Sequence, residues 1–246
     1  MATTLESAAG RQDLQADARA VAYWASLGLV AGGLGGLAAG GIGGRLAMFV
    51  LRVTSDESVR GIKSDDGFVI GRFDFTSTVS LLIVTMFLGS FVGLFVVLGR
   101  PFFPERWMPF AWALAGATAG GAGLVHSDGV DFTLLEPQSL AVALFVAIPG
   151  AGAGFIAWLV EWLPRYWWKQ RWATGLLSLG GLGAVIFFPV VITAVAGGLL
   201  WLAAGRNAML RRLPRWKPAR ASALLVFAAV VAQGGSRLIR DVQDVL

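Results

Sequence analysis

The side chains best suited to metal chemistry stand together in one short segment between two apolar stretches. His126, the single histidine of the chain, is followed by Asp128, Asp131 and Glu136. Imidazole and carboxylate groups are ligands that divalent cations take in proteins. A solvated acidic loop is much commoner than a metal site, however. We therefore predict no metal, with His126, Asp128 and Asp131 as weak candidate ligands.

Residue arrangements typical of enzymes are missing from the sequence. The chain has no cysteine, which excludes thiolate metal sites and a cysteine nucleophile. It also carries no Ser/His/Asp set, no phosphate-binding glycine loop and no helical metal motif. We therefore predict a protein that is not an enzyme and that uses no cofactor.

Arg45 directly follows Gly44 inside the first apolar stretch of the chain. An arginine at the centre of the hydrocarbon costs about 2.5–3.5 kcal/mol, and less near the end of a helix. Two interpretations remain open. Either the guanidinium reaches the outer headgroups or pairs with Asp74 or Asp131, or it contacts an anion or a headgroup within a cavity.

Basic residues concentrate in the segment 205–220, where Arg211, Arg212, Arg215 and Lys217 stand close together. Lysine and arginine beside apolar stretches commonly set the orientation of a membrane protein. The same residues are candidate contacts for anionic lipid headgroups. Because this placement accounts for the net charge of +5, we predict no nucleic-acid partner.

The composition indicates a protein whose solvent is lipid. Hydrophobic residues make up 56% of the chain and charged residues 14%, whereas soluble domains contain about 25% charged residues. Backbone polar groups in lipid must be satisfied within the spanning segment itself. We therefore predict an all-α fold, a polytopic transmembrane helix bundle whose first partner is the lipid bilayer.

Six apolar stretches define the candidate helices. A crossing takes about 20 residues, so the stretch 173–204 is too long for one upright helix. We assign 21–236 to a transmembrane domain with an outer loop at 52–75, and 1–20 and 237–246 to tails. We find no acidic residue inside the predicted spans, which argues against common ion-coupled transporters. The stretches are 21–51, 76–98, 107–124, 139–161, 173–204 and 221–235.

A threefold repeat indicates how the stretch 173–204 divides. An apolar residue, a proline, charge and an aromatic ring recur at 103–107, 163–167 and 213–217, each between two apolar runs. Repeated order of this kind predicts three helical hairpins after one lead helix. Pro189 would then begin the second helix of the long stretch. This arrangement gives seven spans, and one kinked helix over 173–204 gives six as the runner-up.

The distribution of basic residues predicts the orientation. Segments 99–106, 162–172 and 205–220 carry two, three and six Lys or Arg residues, whereas 125–138 carries none. The positive-inside rule places the three basic segments in the cytoplasm, together with the N-terminus. The ten tryptophans fall near these same ends. The Ala/Gly/Arg-rich composition favours a bacterial inner (plasma) membrane.

Five glycines recur at every fourth position of the first helix, namely Gly28, Gly32, Gly36, Gly40 and Gly44. We call them the glycine stripe. Such a row, a glycine zipper, lets another helix backbone approach closely. The partner helix belongs either to this chain, to another copy in a homo-oligomer, or to another membrane protein.

These features predict a non-catalytic structural or accessory membrane subunit. The alternative is a channel or a facilitator-type transporter for a small solute or ion, with Arg45 near its outer mouth. Pro149 and the glycines after it could form a helix break of the kind that exposes backbone to substrates, but a structural kink without function is the favoured interpretation. We favour the subunit, because the spans offer few polar residues beyond Ser, Thr and Gly.

Overall fold

The computed structural model of the chain describes residues 23–56, 75–126, 129, 136–166 and 217–246. Throughout these ranges the chain is predominantly helical and forms no strand, which confirms the predicted all-α class. The long helices within them are α1, Tyr23–Thr54; α2, Phe75–Gly99; α3, residues 108–124; α4, Gln138–Tyr166; and α5, Lys217–Val245.

Four helices are long and apolar enough to cross a membrane, namely Tyr23–Thr54, Phe75–Phe102, Gln138–Arg165 and Arg220–Val245. Helix α3 is shorter, about 25 Å at a rise of 1.5 Å per residue. Large apolar side chains are exposed on the outside of the bundle, among them Leu88, Phe110 and Leu225. Lipid makes such exposure favourable, so the described fold is that of a membrane protein.

Direct contact between backbones joins α1 and α2 into an antiparallel pair. A Cβ added at Gly28 would stand 2.9 Å from the carbonyl oxygen of Gly93, and one at Gly32 would overlap the carbonyl of Gly89. Helix α2 thus carries its own pair of glycines at four-residue spacing. The two helix axes approach more closely than any larger side chain would permit.

The C-terminal half of α1 contains a π-helical segment, Leu37–Gly43. Consecutive residues of a regular helix point about 100° apart, yet Gly40 and Gly41 both face α2 here, against the side chains of Thr85 and Leu82. The extra residue in the π-helical turn therefore changes the register of the face that α1 presents to α2.

Helices α3 and α4 form a second antiparallel pair with similarly close contacts. A Cβ at Gly116 would overlap the carbonyl oxygen of Pro149, and one at Gly154 would stand 3.1 Å from the carbonyl oxygen of Pro109. Helix α4 runs through Pro149 without interruption. Gly150 and Gly154 therefore serve close packing against α3, and α4 is not divided into two half-helices.

The two pairs meet along α4, where side chains rather than backbones fill the interface. Gly35 of α1 faces the side chain of Ile156, and Gly152 of α4 faces the Cβ of Ala39. A core of buried apolar residues lies between the pairs. Its members are Leu27, Ala31, Val96, Met108, Ile156, Ala157, Leu159, Val160 and Leu163.

Helix α5 packs on α3, where a Cβ at Gly234 would stand 2.9 Å from the backbone nitrogen of Ala119. The helix continues to Val245 through residues that we assigned to a tail. Leu238, Val242 and Val245 recur at helical spacing. They pack against a cluster around Leu51, at the end of the bundle where α1 ends and α4 begins. Contacts of these three apolar side chains thus stabilise α5 beyond Arg237, where its charged residues begin.

Several predictions fall outside the described ranges. These concern the N-terminal tail 1–20, most of the outer loop 52–75, the proposed turn at Pro189 and the division of the stretch 173–204.

Candidate functional site

A bidentate ion pair between Arg100 and Glu161 lies at one end of the bundle. Arg100 Nε donates to Glu161 Oε1 at 2.7 Å, and Arg100 Nη2 donates to Glu161 Oε2 at 3.1 Å. Paired hydrogen bonds of this kind are the strongest form of arginine–carboxylate contact. Glu161 is 9% exposed and is the single buried polar or charged residue of the described ranges. We call this end of the bundle the inner end, after the predicted orientation.

A second, exposed pair extends the first one toward solvent. Arg165 Nη2 lies 3.0 Å from Glu105 Oε2 and 4.0 Å from Glu161 Oε2, and Arg100 Nη2 lies 3.7 Å from Glu105 Oε1. We call these four residues the inner charge cluster. Its two positive and two negative charges cancel, so the cluster as a whole is neutral.

The local structure of each segment explains how these side chains meet. Helix α2 ends at Gly99, and Arg100 opens the 3₁₀ turn Arg100–Phe102 with a proline in its first turn. Glu161 and Arg165 stand one helical turn apart on α4 and therefore share a face. Glu105 opens the next 3₁₀ turn of the loop between α2 and α3.

Helix α1 reaches the cluster through an aromatic ring. The guanidinium carbon of Arg100 lies 4.6 Å from the ring centroid of Trp24. A cation over the face of tryptophan is attracted by the ring quadrupole, most strongly where water is excluded. Arg100 therefore connects three helices: it extends from α2, binds a carboxylate of α4 and lies over a ring of α1.

Our expectation of no acidic residue inside the predicted spans is wrong for Glu161. This residue is the last one of the stretch 139–161, and the structure buries it because α4 continues to Tyr166. One signal in the sequence could have predicted this ion pair, namely opposite charges at the ends of the stretches 76–98 and 139–161. Arg100 comes two residues after the second apolar stretch, 76–98, and a buried carboxylate requires a cation of this kind.

Four members of the glycine stripe lie against α2 of the same chain. Gly28, Gly32 and Gly36 face backbone atoms of Gly93, Gly89 and Thr85 respectively, and Gly40 faces the Thr85 side chain. Gly44 is loosely packed, since an added Cβ would meet Leu81 Cδ2 at 4.0 Å. The contact surface of the stripe is thus continuous from Gly28 to Gly40.

Arg45 lies near the opposite end of α1. It stands about 30 Å above Trp24 at 1.5 Å per residue, close to the thickness of the hydrocarbon core. Its Nε and Nη2 atoms are buried. Arg45 therefore does not belong to the inner charge cluster. The predicted partners Asp74 and Asp131 lie outside the described ranges.

The remaining predicted site residues are only partly described. His126 is exposed just after α3, while Asp128 and Asp131 lie outside the described ranges. Where the structure describes the chain, no group of three or more His, Cys, Asp or Glu residues could hold a metal ion. Lys217 is exposed at the start of α5, and the other predicted headgroup contacts, Arg211, Arg212 and Arg215, fall outside.

The geometry of the inner charge cluster suits a structural role better than a catalytic one. Each carboxylate of the cluster is engaged by at least one guanidinium, so neither is a free acid or base. The ion pair between Arg100 and Glu161 joins the α1–α2 helices to the α3–α4 helices at their inner end.

Comparison of the chain with protein-family models, curated proteins and solved structures finds no match in any of the three.

Proposed function

We propose that this protein is a non-catalytic structural or accessory membrane subunit, whose helices form a rigid unit for assembly with another membrane protein. The observation that carries the proposal is the nature of the described interior. Its helices pack through glycine and apolar side chains, and its one buried charged residue, Glu161, is neutralised by Arg100.

A translocation pathway within one chain requires polar lining, and three hydroxyl groups within the described helices, those of Thr85, Ser90 and Thr118, are already engaged. Thr85 Oγ1 and Thr118 Oγ1 donate to carbonyl oxygens one turn earlier on their own helices. Ser90 Oγ donates to Leu29 O of α1 at 3.0 Å. These contacts favour a packing unit over the alternative, a channel or facilitator for a small solute or ion.

We further propose seven spans, with α3 as the third and two crossings between α4 and α5. Two contacts support an even number of crossings in that segment. Arg165, near the end of α4, pairs with Glu105, and Arg220, in the first turn of α5, donates from Nε to the carbonyl oxygen of Phe102 at 3.0 Å. Both therefore stand beside the α2–α3 loop, on one side of the membrane.

The positive-inside rule supports the cytoplasm as that side, with the N-terminus also cytoplasmic. The described inner end carries the basic residues Arg100, Arg106, Arg165, Lys217 and Arg220. The bacterial inner membrane is the location that we propose, from the composition of the chain.

The mass of the assembly, measured after gentle extraction from the native membrane, tests the proposed function. We expect the chain in a complex with a different membrane protein, in fixed ratio. A closed homo-oligomer of this chain alone, which conducts an ion or solute after reconstitution and loses conductance in Arg45→Ala, would overturn the proposal in favour of a channel.

A further inference from the structure

The basic residues at the inner end fall into two groups. Arg100 and Arg165 each lie within 4.0 Å of a carboxylate of the inner charge cluster. Arg106, Lys217 and Arg220 are exposed, and none of the three has a carboxylate within 4.0 Å anywhere in the described part of the chain. Because the cluster is neutral, these three residues determine the net charge that the described inner end presents to its surroundings.

Two of the three uncompensated cations stand at the loop between α2 and α3. Arg106 belongs to the 3₁₀ turn Glu105–Trp107, and Arg220 reaches the preceding turn through its hydrogen bond to Phe102 O. That bond uses Nε of Arg220, so the terminal nitrogens of its guanidinium extend beyond it. Lys217 stands one turn before Arg220 on α5.

Aromatic rings locate this loop at the membrane surface. Trp107 is 56% exposed, and the guanidinium carbon of Arg106 lies 5.8 Å from its ring centroid. Phe110, in the first turn of α3, contacts Trp107 edge to face and is itself exposed. Exposed tryptophan beside the start of a membrane helix is typical of the headgroup region. Arg106 therefore stands at the depth of lipid phosphates.

We propose that Arg106, Lys217 and Arg220 form a binding surface for the phosphate of an anionic phospholipid in the inner leaflet. Basic residues beside transmembrane helices attract anionic lipids, and each one adds affinity near the surface. The opposite end of α5 shows a different balance, because Arg237 and Arg240 are accompanied there by Asp241 and Asp244. The choice of the inner leaflet rests on the proposed orientation, whereas binding of the phosphate does not depend on the proposed role as a subunit.

Native mass spectrometry of the full chain, titrated with phosphatidylglycerol or phosphatidylcholine, tests this surface. We expect preferential retention of phosphatidylglycerol, which Arg106→Gln, Lys217→Gln and Arg220→Gln each weaken about five-fold and the triple variant about 100-fold. Raising the salt concentration should also weaken retention. These substitutions leave the buried pair intact, and thermal unfolding of each variant verifies the fold.

Arg240→Gln is the matched control. Like Arg220, Arg240 is an exposed arginine of α5 whose Nε donates to a backbone carbonyl oxygen, that of Ser236. Its substitution should leave lipid retention unchanged. Equal retention of the two lipids, an equal loss in Arg240→Gln, or full retention in the triple variant would overturn the proposal. Displacement of the lipid by millimolar inorganic phosphate would also overturn it, since the site would then recognise free phosphate.

Discussion

Replacing Glu161 with glutamine should lower the free energy of unfolding by about 3 kcal/mol, because removal of one partner leaves a poorly solvated charge on the other. The guanidinium of Arg100 loses its bidentate acceptor while it stays packed over Trp24. The amide oxygen of glutamine can still accept one hydrogen bond, which keeps the loss at the lower end of the range for buried pairs. Reversible unfolding in mixed micelles measures the difference.

Two further variants separate the buried pair from its surroundings. Glu105→Gln removes a carboxylate that is 63% exposed, so its effect should stay below about 1 kcal/mol. The double variant Arg100→Gln/Glu161→Gln removes both charges and should recover part of the loss. If Glu161→Gln were as mild as Glu105→Gln, the inner charge cluster would not hold the helix pairs together.

Alanine at Gly32 should destabilise the bundle by about 1–3 kcal/mol through overpacking. The added Cβ would stand 2.7 Å from both the carbonyl carbon of Gly89 and the Cα of Ser90. Because these are backbone atoms, no side-chain rotation can relieve the clash, and α1 must separate from α2. The same unfolding measurement gives the size of the effect.

Gly44→Ala is the matched control within the same stripe. Its Cβ would meet Leu81 Cδ2 at 4.0 Å, an ordinary van der Waals contact. Alanine also favours the helix over glycine by up to about 1 kcal/mol, so this variant should be neutral or slightly stabilising. Equal losses at both positions would mean that the α1–α2 contact does not follow the described geometry.

The membrane class and most helix positions could be predicted from the sequence, because long apolar stretches are a direct consequence of lipid as solvent. The spacing of the glycine stripe also predicted a close helix contact, but not which helix makes it. Gly89 and Gly93 stand at the same four-residue spacing on α2. Many helices carry small residues, so spacing alone could not select this pair.

Burial of Glu161 was harder to predict, because it depends on where α4 ends and on what stands beside it. A glutamate at the end of an apolar stretch usually reaches water or headgroups. Here α4 continues to Tyr166, and Arg100 from another helix supplies the compensating charge. The contact joins residues 61 positions apart in the chain, a separation that no local pattern reveals.

The C-terminal half of α5 illustrates a second limit. Charged residues begin at Arg237, which made the end of the apolar stretch resemble the end of the helix. The structure continues the helix because Leu238, Val242 and Val245 form an apolar face against other helices. Helical periodicity, rather than mean hydropathy, was the informative signal there.

Cysteine labelling in intact cells tests the proposed architecture most directly, since the natural chain contains no cysteine. Single cysteines at Asn207, Ser127 and Gln243 report on the two sides of the membrane. Seven spans with the inner charge cluster in the cytoplasm predict that Asn207→Cys resists a membrane-impermeant maleimide, while Ser127→Cys and Gln243→Cys react. Labelling of Asn207→Cys together with protection of Gln243→Cys would contradict the seven-span account.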